Sequence, residues 1–139
     1  MRLRGGFLVA VRSIVLAVIL FASPLLAGAP FDIEITKLLV GNWDFRSVSS
    51  TVKEGTFTFR ADGTFSSHGL FHVGPREFRI DAEGTWQVKN GLLVEKLTKC
   101  SDPTTIPVGQ ITRDKVLSIT TKKFRFEMEG GTEASYVRK

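Results

Sequence analysis

Two histidines, His68 and His72, stand four positions apart and are the residues whose spacing first suggests chemistry. On a helix that spacing puts both imidazoles on one face, the arrangement that grips a metal ion. The surrounding residues read as a strand instead. A strand rises about 3.3 Å per residue, which sets the two roots roughly 13 Å apart. One ion cannot be held across that gap, and no metal site is expected. Asp81 and Glu83 form a carboxylate pair. Paired carboxylates do acid–base work when burial splits their pKa values. Here Phe78, Ile80 and Ala82 take the alternate positions and mark the inner face, which leaves Asp81 and Glu83 in solvent. The hydroxyls of Ser49-Ser50-Thr51 and Ser66-Ser67 have no recognisable base and orienting acid around them. Cys100, the single cysteine, lies in a polar stretch with neither histidine near it in sequence. It is read as an incidental free thiol or as a bridge to another chain, not as a nucleophile. No phosphate-cradling glycine loop is present. The chain is read as having no catalytic residue and no cofactor.

The elements that must position these residues begin after a distinctive start. Arg2, Arg4 and Arg12 are the only charges before Asp32. An apolar run follows, and it ends in the small residues Ala27-Gly28-Ala29. A basic start, a short apolar core and a small-residue end are the parts of a secretory signal peptide. The uncharged stretch 13–31 is nineteen residues long and contains Pro24, whereas a spanning helix needs about 20 apolar residues. Segment 1–29 is therefore read as a signal-peptide helix cleaved near Ala27 or Ala29, with a domain over 30–139. The expected location is periplasmic or secreted; the alternative is a membrane anchor formed by the same helix left uncleaved. Beyond the leader sixteen basic residues face fourteen acidic ones, a net charge of +2. No clustered basic face supports nucleic-acid binding, and Lys122-Lys123 with Arg125 reads as a solvated turn.

About 110 residues make one domain able to hold a core without disulfides. Alternation and turn residues organise it. Phe57 and Phe59 share one face of a strand over 54–60, and Trp43 and Phe45 share one face of a strand over 39–48. Asp62-Gly63 and Asn90-Gly91 are hairpin turns. Between them, apolar residues hold the even positions from Phe78 to Val88, and Gly84 is a place for a bend. A strand follows over 92–98, then a longer loop with Pro103 and Pro107. Further strands are expected over 108–112, 116–121, 124–128 and 132–138, the first two separated by a turn at Arg113-Asp114-Lys115. A short helix or lead-in over 31–37 would place Ile33, Leu38 and Leu39 as a plug. Eight or nine short strands with regular turns imply an all-β protein, a small antiparallel up-and-down β-barrel of about eight strands. Such a barrel is just wide enough to be filled by side chains or to hold one small ligand. Phe45, Phe57, Phe59, Trp86, Val88 and Tyr136 either fill that interior or line a pocket for a small apolar molecule.

Gly41-x-Trp43 on the first strand, Asp62-Gly63-Thr64-Phe65, a second Gly84-x-Trp86 and a closing Tyr136-Val137-Arg138 form a set. With them the chain resembles the lipocalin-like, or calycin, superfamily and its small bacterial members. The resemblance implies that Gly41, Trp43 and Arg138 close the barrel, the guanidinium lying over the indole. A stacked cation of that kind is worth about 2 kcal/mol when desolvated. Together with the leader it further implies an exported, non-catalytic domain that binds a small apolar ligand or serves as a scaffold. The alternative is a protein-binding module, such as an exported hydrolase inhibitor, that inserts residues 31–38 or the loop 99–110 into a partner. The membrane enters only through an uncleaved leader.

Overall fold

The computed structural model describes residues 31–47 and 52–139. The segment 1–29 read as a leader lies outside the described residues, as do Ser49, Ser50 and Thr51. A helix, α1, covers 31–39. Eight strands follow: β1 (Gly41–Ser47), β2 (Val52–Phe59), β3 (Thr64–Val73), β4 (Arg76–Lys89), β5 (Leu92–Cys100), β6 (Ile111–Ile119), β7 (Lys123–Glu127) and β8 (Glu133–Arg138). Each strand pairs antiparallel with the next, and β1 pairs with β8, which closes the barrel in up-and-down order. Closure matters because an unpaired edge would offer its backbone to other chains.

The even-position alternation on β4 is realised: Ile80, Ala82, Trp86 and Val88 turn inward while Asp81 and Glu83 stay exposed. Gly84 sits on the same inner face, where a Cβ would collide with the Lys96 carbonyl and the Phe65 ring. The β4–β5 register shifts between Glu83 and Gly84, so the long strand bends there without splitting. Asn90 and Gly91 both take positive φ, 53° and 73°, as a two-residue hairpin turn requires. Around Asp62-Gly63 only Gly63 has positive φ. The turn is wider than a two-residue one: Arg60 N–H reaches Thr64 O at 2.9 Å, and the Asp62 carboxylate accepts from both the backbone and the hydroxyl of Thr64.

One stretch differs from its expected form. Residues 113–115 do not turn. They lie within β6, with Arg113 and Lys115 outward and Asp114 buried. Adjacent charges suggested a turn, but alternation lets a strand carry two of them in water and one inside. Val108, expected in a strand, lies exposed in the loop before β6.

The helix closes one end of the barrel. Ile35 and Leu39, one turn apart, are fully buried against the core. Leu39 plugs as expected, Leu38 is half-buried, and Ile33 is 57% exposed, because its side of α1 faces solvent. Asp32 fastens the start of α1: its carboxylate accepts the N–H groups of Asn90 and Gly91 at 2.8 and 2.9 Å. The end of α1 is fastened by the closing pair. Trp43 Nε1 donates to Leu39 O at 2.7 Å, and Arg138 donates to the carbonyls of Leu38, Val40 and Thr121. A guanidinium at a helix C-terminus also meets the negative end of its dipole.

Arg138 lies 4.2 Å over the Trp43 ring, and the two residues are direct partners in the β1–β8 register. Gly41 has a φ of 139°, and a Cβ there would collide with the Arg138 guanidinium. The three residues expected to close the barrel therefore meet at one seam. Trp86 repeats the device on a smaller scale, its Nε1 donating to Arg60 O and Thr64 O across the β2–β3 turn.

Candidate functional site

Above the plug the core is dense. Phe59, Phe124 and Leu93 are essentially without exposure, and Trp86 packs edge-on against Phe59 at 5.3 Å. Towards the opposite end the packing gives way to a cavity of about 460 Å³. That is the size of a small-molecule pocket. Side chains on the inner faces of β1 to β6 and β8, with Phe126 from β7, form its wall.

The wall is aromatic on one side. Tyr136 is the hub, with Phe45, Phe57 and Phe126 centred 5.4, 5.0 and 4.9 Å from its ring. Register explains the grouping, because Phe45 and Tyr136 are partners across the seam. Ile80, Ala82, Leu97 and Met128 extend the apolar surface. Ile106 and Gln110 reach the mouth from the loop after β5. That loop folds back on the barrel: Gly109 N–H donates to Leu97 O, and Leu97 N–H donates to Gln110 O. The Asp102 carboxylate anchors it by accepting from the hydroxyls of Thr104 and Thr105. Those bonds hold its pKa below the ordinary value.

The other side is acidic. Glu95 on β5 and Asp114 on β6 both line the cavity, with Glu129 from the β7–β8 turn near the mouth. Glu95 is the register partner of Thr112, and Asp114 of Leu93, so the two acids are diagonal neighbours on one face. Burial, then the charge of Asp114, lift the Glu95 carboxyl to about 8, although a bond from Thr112 Oγ1 (3.3 Å) opposes the shift. The second oxygen of Glu95, Oε1, is buried with no hydrogen-bond partner. Asp114, 8% exposed, is the buried charged residue among those described. Burial, then Glu129, raise it to about 6. Burial together with Glu95 and Asp114 pushes the Tyr136 hydroxyl well above its ordinary value.

Of the residues expected inside the barrel, Phe45, Phe57 and Tyr136 lie on the cavity wall. Phe59 and Trp86 are buried in the packed part, and Val88 is half-buried against the same core. Glu95 was not singled out from the sequence, and Asp114 was expected in a turn and not on a cavity wall. The pattern Leu93-x-Glu95-x-Leu97 placed Glu95 between two inward residues, and Thr112-x-Asp114-x-Val116 did the same for Asp114.

The remaining candidates sit elsewhere. His68 and His72 pair with different carboxylates on β4, Nδ1 of His68 with Asp81 at 2.6 Å and Nε2 of His72 with Glu77 at 3.7 Å. These are exposed or half-exposed pairs of small worth. Cys100 ends β5, opposite Ala82, as a free thiol packed against the core, and not in a polar loop. A polar groove of about 380 Å³ on the outer side of β1 to β4 carries both signs of charge, among them Asp44, Arg46, Arg79 and Lys139.

Fold and site together define a class: a closed eight-stranded up-and-down barrel, plugged by a helix at one end and hollow at the other. No protein-family model matches the chain, and no curated protein matches it.

Proposed function

We propose that this chain is an exported lipocalin-like domain that binds one small molecule in the open half of its barrel and performs no chemistry on it. The observation that carries the reading is the cavity of about 460 Å³ in a barrel whose other half is packed solid. A barrel of this strand number has room for one small ligand and little more. The aromatic wall around Tyr136 supplies the apolar contact area such a molecule needs. The Trp43–Arg138 seam and the up-and-down order support kinship with lipocalin-like proteins, and the leader pattern in 1–29 supports export. Binding without catalysis fits the placement of the candidate nucleophiles. Ser67 lines the cavity, while its neighbour His68 is engaged with Asp81.

The test is a fluorescence titration of the purified chain with prodan, a neutral naphthalene dye whose emission rises in apolar surroundings. A saturable one-to-one signal is expected, weakened by Ala82→Phe, which narrows the cavity. A linear, unsaturable response would remove the ligand-binding reading.

A further inference from the structure

We propose that the molecule held in the cavity is a cationic aromatic amine, its protonated nitrogen seated on Glu95 and Asp114 and its ring on the wall around Tyr136. This rests on the ligand-binding reading above and names the class of ligand.

The wall is unbalanced in charge. Its titratable side chains are Glu95 from β5, Asp114 from β6, Glu129 from the β7–β8 turn, Tyr136 from β8 and His68 from β3. Among the described residues lining the cavity there is no lysine and no arginine. A buried carboxylate is stable only when paired or hydrogen-bonded. Here Thr112 supplies one donor to one oxygen of Glu95, and the other oxygen has none. The terminal torsion of a glutamate is broad, so rotation about it can swing the unpartnered oxygen towards the cavity. A primary ammonium brings three donors and a positive charge. It completes Glu95 and faces Asp114, diagonal to it on the same inner face.

The aromatic side of the wall fits the rest of such a molecule. Phe45, Phe57 and Phe126 surround Tyr136 with centroids 4.9 to 5.4 Å from its ring. Ring faces attract both aromatic edges and cations. An anionic ligand would meet three acids and no fixed cation. A neutral ligand without a donor would leave Glu95 Oε1 as it is, and a hydroxyl would offer it one donor but no charge to face Asp114.

Proton linkage gives an independent signature. Glu95 and Asp114 hold their protons above the usual carboxylate range when the cavity is empty. A bound ammonium favours their ionised forms. Binding of the amine therefore expels protons and tightens as pH rises from 6 to 8.

The test is isothermal titration calorimetry of the purified chain with three naphthalenes of one size: 1-naphthylmethylamine, 1-naphthalenemethanol and 1-naphthoate. The expected order is amine, alcohol, acid, with the amine at least about tenfold tighter than the alcohol. Heats in two buffers of different ionisation enthalpy are expected to report proton release for the amine alone. Glu95→Gln, with Asp114→Asn as its companion variant, is expected to erase most of the amine's advantage over the alcohol. Equal affinity for amine and alcohol, or preference for the acid, overturns the amine assignment and leaves the ligand-binding reading standing. Prodan binding without any amine binding overturns it equally. If neither prodan nor any of the three binds, both readings fall.

Discussion

At the α1 end of the barrel, the carbonyls of Leu38, Leu39 and Val40 each accept a side-chain N–H, and Ile35, Leu39 and Trp43 have essentially no exposure. At the open end, a carboxylate oxygen of Glu95 accepts nothing, and Asp114 is buried without a lysine or arginine beside it on the cavity wall. The same eight strands thus run from a region where polar groups are satisfied to one where they are left wanting. An unmade buried hydrogen bond costs about 1–3 kcal/mol. A buried group left without a partner is rare enough in folded proteins to call for an explanation. The plugged end holds the structure together; under the ligand-binding proposal, the unmet polar groups at the open end are what a bound molecule would complete.

The largest effect that would break this contrast comes from the plug. Trp43→Ala removes a fully buried indole, the hydrogen bond to Leu39 and the seat of Arg138, and is expected to destabilise by about 3–5 kcal/mol. Urea denaturation measures it, and a loss under about 1 kcal/mol would mean that stability lies elsewhere in the barrel. The open end is expected to respond with the opposite sign. Glu95 keeps its proton to about 8 in the folded chain, against an ordinary 4.5. Between those values the unfolded chain loses that proton first, so stability falls as pH rises, by up to about 1.4 kcal/mol per unit per group. Asp114 adds the same trend between its ordinary 3.8 and about 6. Thermal melts should therefore show a less stable protein at pH 8 than at pH 5. Glu95→Leu should flatten the upper part of that profile and stabilise the chain at pH 8 by about 1–3 kcal/mol. A destabilised Glu95→Leu protein would show that this acid serves the fold. The smallest change sharpens the boundary of the plug: Asp32→Ala removes two charge-assisted bonds to the β4–β5 turn, and about 1 kcal/mol of destabilisation is expected in the same assay.

Much of the plugged end was legible in the sequence, and the reason is chemical. Trp43 is one of only two tryptophans, with Gly41 two residues before it and Arg138 on the last strand, and alternation on β4 announces itself through five large or apolar residues. The hairpin at Asn90-Gly91 follows from two residues that tolerate positive φ. The open end was harder to read because its inward face is partly polar there. Asp114 sits between Arg113 and Lys115, and three charges in a row look like a turn until tertiary closure buries the middle one. Glu95 lies on the inner face of an otherwise conventional strand, but pattern reading weighs apolar residues and passes over an acid among them. Phe59 and Trp86 were correctly inward-facing, yet sequence has no depth coordinate along the barrel axis. Their place below the cavity follows from register and from where α1 packs.

The seam also sets when the molecule can come into being. Arg138 reaches back one hundred positions to Leu38. Contacts that distant are the slowest to find, because the loop between them must first be gathered in. A partial chain lacking β8 can hold the start of α1 through Asp32, but it lacks the Arg138 bonds to the carbonyls of Leu38 and Val40 at the helix end. The ring of strands therefore closes only after β8 has been made.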